Sequence, residues 1–144
     1  MKVWNRTLAG VGPVALLLSL AGGVSAEEPA GIGVQLNKLE PDGDDCRAHL
    51  VLENGMDQSL ESFQLDLVVF DDDGIIQLRT AVEMAPLRPG ETSVRAFRMA
   101  DTACGDVGRV LLNEVTACEG PDGAIEGCGE RVEVESLADQ PFIR

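Results

Sequence analysis

Four cysteines and a single histidine are the residues of this 144-residue chain best able to form covalent or coordinate bonds. None of the spacings among Cys46, Cys104, Cys118 and Cys128 is Cys-x-x-Cys, so neither a thioredoxin-type redox pair nor a zinc ribbon is supported. In an oxidising compartment an even count reads first as two disulfides, with free reactive thiols as the alternative. His49 has no second histidine to share a zinc or copper ion, and the disulfides would leave no thiolates for one. No Ser-His-Asp set has a spacing argument behind it, and no glycine-rich phosphate loop follows a strand and opens a helix. The aromatics are Trp4, Phe63, Phe70, Phe97 and Phe142, with no tyrosine, so a sugar-stacking platform is not expected. These residues give the expectation that the protein is not an enzyme.

The compartment comes from the N-terminus. Lys2 and Arg6 precede an apolar run from Leu8 to Leu20, and Val24-Ser25-Ala26 offers small residues at a cleavage spacing. Residues 1–26 therefore read as a secretory signal peptide and residues 27–144 as one domain, with its core at about 31–137. A retained anchor is the competing reading, but Gly10, Gly12, Pro13, Gly22 and Gly23 interrupt the run. Removing residues 1–26 leaves all 25 acidic residues and nine of the 11 basic ones, a formal charge of −16. Nucleic acid and anionic lipid both need a basic surface, so neither is expected as a partner. A cation, a basic protein surface or simple solubility is compatible with the charge.

The elements that must position these residues are strands. Phe63, Leu65, Leu67 and Val69 recur every second residue, with Gln64 and Asp66 between them, the period of a strand with one buried face. Val68 and Phe70 interrupt the polar side, so the far end is expected to be covered on both faces. Asp71-Asp72-Asp73-Gly74 is a turn, and Ile76, Leu78, Thr80 and Val82 form the apolar side of a returning strand. Alternation adds strands at Ile32–Leu36, Cys46–Glu53, Thr92–Met99, Arg109–Cys118 and Arg131–Glu135. In Thr92–Met99 either Val94 and Ala96 or Phe97 and Met99 face the core. Arg109–Ala117 also carries a partial helical face, and its β-branched residues favour a strand. Leu137–Arg144 is a tail. Seven short strands between Gly and Pro turns predict an all-β, antiparallel, immunoglobulin-like sandwich.

If successive strands run antiparallel, connections alternate between the two ends of the sandwich. Cys46 and Cys104 then share one end, and Cys118 and Cys128 the other. A mixed pairing would have to cross the length of the sandwich, while bonded Cα atoms lie within about 7 Å. The expected bonds are Cys46–Cys104 and Cys118–Cys128. The same alternation brings Asp42, Asp44, Asp45, Asp71, Asp73 and Asp101 to one end, where carboxylates from three loops could ligate a hard cation such as calcium. Asp71–Gly74 lacks the Asp-x-Asp-x-Asp-Gly spacing of an EF-hand loop, and Asp and Gly are also the ordinary residues of tight turns.

Asn54, the alternation Phe63–Val69, Phe70-Asp-Asp-Asp-Gly74 and Leu87-Arg-Pro-Gly90-Glu-Thr92 resemble immunoglobulin-like secreted bacterial domains of the FxLYD type. Residues 27–144 as a whole are similar to exported proteins of α-proteobacteria. The resemblance covers about residues 50–99 and implies a sandwich used as an extracytoplasmic binding or accessory module. The four cysteines and the long stretch between the last two strands are not part of that pattern. The expected function is a periplasmic module docking on an envelope protein, a basic surface of which would fit the charge, through a sheet edge or through the disulfide-tied loop carrying Glu119, Asp122, Glu126 and Glu130. A cation-responsive protein built on the acidic end is the alternative.

Overall fold

The computed structural model describes Gly10 and residues 30–144; the expected signal peptide, residues 1–26, lies outside the described residues apart from Gly10. Nine strands form: β1 (Ile32–Asp42), β2 (Asp45–Asn54), β3 (Ser62–Phe70), β4 (Ile76–Glu83), β5 (Thr92–Met99), β6 (Arg109–Gly120), β7 (Gly123–Ala124), β8 (Val132–Ser136) and β9 (Phe142–Ile143). Among the described residues the remaining regular structure is two 3₁₀ turns, Cys104–Asp106 and Gly129–Arg131. Among the described residues no helix is long and apolar enough to cross a membrane.

The strands build an all-β sandwich. One sheet runs β5-β2-β1-β8; the other runs β4-β3-β6, with β7 and β9 on the far side of β6. The β5-β2-β1 and β4-β3-β6 groupings match the way immunoglobulin-like sandwiches divide their strands. The sheets are mixed rather than wholly antiparallel: β8 pairs in parallel with β1 (Ile32 opposite Val132, Leu36 opposite Ser136), and β9 in parallel with β6. The last long strand thus joins the first strand's sheet.

Period-two alternation places the core. Ile32, Val34 and Leu36 on β1, Ala48, Leu50 and Leu52 on β2 face Phe63, Leu65, Leu67 and Val69 on β3, with Val110 and Leu112 on β6. Each of these side chains larger than alanine contributes roughly 1.5–3 kcal/mol by leaving water. Phe97 and Met99 are the inward residues of β5, and Val94 and Ala96 face solvent. The toward-core side of β4 is only half-buried, because it is an edge strand, and a register shift beside Phe70 leaves Ile76 exposed. The C-terminal tail packs, with Phe142 in the core.

Two details fix the ends. Buried Asn54 donates to the carbonyls of Gln58 (2.9 Å) and Leu87 (3.2 Å) and accepts from the Met56 N–H, tying the loops that follow β2 and β4 together. In the β3–β4 turn, Asp71 Oδ1 accepts from the N–H groups of Asp73 and Ile75, and Gly74 takes the left-handed φ of 81° that an L-residue resists.

Candidate binding groove

The disulfides are Cys46–Cys104, with Cα atoms 4.7 Å apart, and Cys118–Cys128, at 6.3 Å. They sit at opposite ends of the sandwich, as the alternation of connections requires. Two disulfides point to a non-reducing, exported compartment.

The acidic end does not become a cluster. Asp42, Asp44, Asp45, Asp71, Asp73 and Asp101 share that end, yet among the described residues no three His, Cys, Asp or Glu side chains converge to hold a metal ion. The reason is local engagement. Asp42 pairs with Arg47 at 2.6 Å, Asp71 caps its own turn and accepts from Gln77, and Asp44 and Asp73 are exposed turn residues. Asp45 is buried, accepts the Asp101 N–H at 2.8 Å and pairs with Arg98. That backbone donor first, and then Arg98, hold its carboxyl below the ordinary carboxylate range.

Asp66 behaves similarly on the outer face of the second sheet. Arg79 chelates it through Nε (3.0 Å) and Nη2 (2.7 Å), and Asn113 donates at 2.7 Å. The Arg79 hydrogen bonds, and after them Asn113, lower its pKa. His49 lies on the outer face of β2 and bonds Glu40 across the strand pair at 2.7 Å, the surface position its alternation implies.

At the other end of the first sheet's outer face, around Gly33, the carboxylates make no ion pair among the described residues. Gly33 on β1 lies directly between Glu53 on β2 and Glu133 on β8. With neighbouring strands spaced at 4.7–4.9 Å, the two glutamates stand about 10 Å apart across a residue with no side chain. The result is a hollow of about 560 Å³ lined by Gly31, Gly33, Gly55, Glu53, Glu130 and Glu133, with Arg131 at its end. It continues along β1 into a second hollow of about 310 Å³ that adds Gln35, Val51 and Glu135.

Gly31 and Gly55 allow the backbone to close the end of the groove. A Cβ on Gly31 would collide with the Arg131 carbonyl, and one on Gly55 would lie 2.8 Å from the Gly31 carbonyl oxygen. Gly33 is different: a Cβ there meets nothing nearer than the Glu53 Cβ at 3.8 Å, so its absence leaves space and relieves no clash.

Among the described residues no ion pair engages Glu53, Glu130, Glu133 or Glu135. Glu135 accepts one bond, from Gln35 Nε2 at 2.5 Å. The Arg131 guanidinium donates to the carbonyls of Gly127 (3.2 Å) and Glu126 (3.4 Å) rather than to a groove carboxylate, so it sets one positive charge in the lining against Glu53, Glu130 and Glu133.

Of the loop residues expected to form an interaction surface, Glu130 lines the groove. Glu119 pairs with Ala124 in the β6–β7 hairpin, Asp122 lies in the turn between those strands, and Glu126 is exposed beyond them. Glu53, Glu133, Glu135 and Gly33 complete the groove. Alternation alone assigns all four to solvent faces, but only the parallel docking of β8 on β1 brings them together. No protein-family model matches the chain, and comparison with curated proteins and with solved structures returns no match.

Proposed function

We propose that this chain is a non-enzymatic binding module of the bacterial periplasm that docks on an envelope protein, with the glycine-floored groove of the first sheet as its docking surface. The observation that carries this reading is the pair Glu53 and Glu133, in no ion pair among the described residues, facing each other across Gly33. A depression of this width suits an extended segment, and carboxylates along both walls suit lysine or arginine side chains on it. The disulfide-tied wall enters the interaction already ordered, which lowers the entropic cost of association. The likeness of about residues 50–99 to FxLYD-type secreted modules and the formal charge of −16 after residue 26 support the same reading.

Gly33→Val provides the test. Valine favours a strand and its Cβ would meet nothing nearer than the Glu53 Cβ at 3.8 Å, so the sandwich is expected to keep its melting temperature while the groove fills. Immobilised wild-type protein, Gly33→Val and the charge reversal Glu53→Lys/Glu133→Lys are compared for capture of envelope proteins. The expected outcome is a basic partner retained by wild type, lost from both variants and weakened as salt screens the contacts. Equal capture by all three would sink the groove as the docking surface.

A further inference from the structure

An edge strand leaves a row of backbone donors and acceptors open, and most edges of this sandwich carry a feature that discourages a new strand. β5 turns Arg95 inward, β8 is five residues long, and β7 and β9 are two residues each. β4 has none of these protections over Leu78–Met84: no proline, no bulge and no inward charge.

Its pairing fixes which groups are open. The Met84 N–H donates to the Phe63 carbonyl at 2.8 Å, so Leu78, Thr80, Val82 and Met84 are the residues that bond to β3. The N–H and C=O groups of Arg79, Ala81 and Glu83 then point away from the sheet, and among the described residues β4 pairs with β3 alone. Leu78 and Val82 turn inward yet are only partly buried against the core. The core is therefore half-open along this seam, up to the point where Arg95 donates to the Pro86 carbonyl at 2.9 Å.

This strip is complementary to its own reverse. Arg79 and Glu83 stand equally far on either side of Ala81 and carry opposite charges. Arg79 commits Nε and Nη2 to Asp66, which leaves Nη1. Glu83 Oε1 caps the N–H groups of Phe63 and Ala85, while Oε2 has the Ser62 hydroxyl at 3.2 Å and room for a second donor. An antiparallel copy centred on Ala81 sets each Arg79 opposite Glu83 of the other copy. On the inner side it sets Thr80 opposite Val82, and Leu78 opposite Met84.

We propose that β4 is a homodimerisation edge: two copies pair antiparallel about a two-fold axis at Ala81, joining their second sheets into one. The ladder supplies about six hydrogen bonds from its hydrogen-bonded pairs, and the added strand shields Leu78 and Val82 from water. Such a contact is isologous and closes at two copies. One strand pair buries less area than a permanent dimer, so association depends on concentration. The groove lies on the other sheet and stays uncovered, so the proposal stands apart from its role.

Sedimentation velocity of the protein from residue 27 onward, between about 10 μM and 1 mM, tests the edge. A monomer–dimer equilibrium is expected. Ala81→Pro deletes the central donor, which faces away from β3, so the fold is kept and the dimer is lost. Thr80→Lys puts an inward charge on the strand and is expected to abolish the dimer as well. Thermal melting identifies the variants that are folded. In Ala81→Cys the new thiol meets its own copy across the axis at a Cα separation of about 5.5 Å, within disulfide reach. The four native cysteines are all bonded and do not compete. Oxidation of Ala81→Cys to a covalent dimer is expected to run at least about tenfold faster than that of Val94→Cys, an exposed position on β5. A monomer at every concentration, a dimer undiminished in a folded Ala81→Pro or Thr80→Lys, or equal cross-linking of the two cysteine variants would overturn the proposal.

Discussion

Asp66 shows how one side chain can be polar by position and buried by consequence. It occupies the solvent parity of β3, yet Arg79 and Asn113 close over it. Its pKa is depressed from the ordinary 3.8, so its stabilising effect is fully present above pH 4 and is lost as the pH falls through the lower folded value. Asp66→Asn should therefore cost stability at pH 7, and the gap to wild type in urea midpoint should close as the pH falls below about 4. Comparing the two proteins at each pH removes the general gain from discharging an acidic surface. At a purely apolar position, Leu67→Ala removes a fully buried side chain between the sheets and is expected to destabilise the fold by about 2–5 kcal/mol, measured by urea unfolding.

Among the elements, the strands that alternate cleanly were legible from their residues, and those defined by a neighbour were not. β2 and β3 announce their inward faces through Ala48, Leu50, Leu52 and Phe63, Leu65, Leu67. The inward face of β5 is ambiguous in sequence because its inner parity also carries Ser93 and Arg95, which sit at an open edge where Arg95 bonds the Pro86 carbonyl. An inward charge on an edge strand also discourages pairing with another chain. β9 is only two residues long and has no period to read; pairing with Val110 and Leu111 defines it. Phe142→Ala should nonetheless cost about 3 kcal/mol, as for a core aromatic, whereas a merely dangling tail would tolerate it. The disulfide pairing was legible because antiparallel connection order fixes which end each cysteine occupies. The groove was not, because no residue of β8 signals that it will dock on β1. Chain-entropy differences give the two bonds unequal weight: Cys46→Ser/Cys104→Ser should lose about 4 kcal/mol and Cys118→Ser/Cys128→Ser about 3 kcal/mol, read from denaturant midpoints.

For the whole molecule, the parallel seating of β8 on β1 sets an order of events. β1 has β2 available almost as soon as it is made, but its other edge stays open until Val132–Ser136 arrives near the end of the chain. Contacts this distant in sequence form late and make folding slow. A ribosome delivers the N-terminus first, so every incomplete chain carries the same uncovered strand edge, an adhesive surface for its neighbours. All four cysteines precede β8, so both cross-links can close while that edge is still bare. β8 thus covers the open edge of β1: a product cut short before Val132 would hold its disulfides and most of its core, and would still be marked by its stickiness.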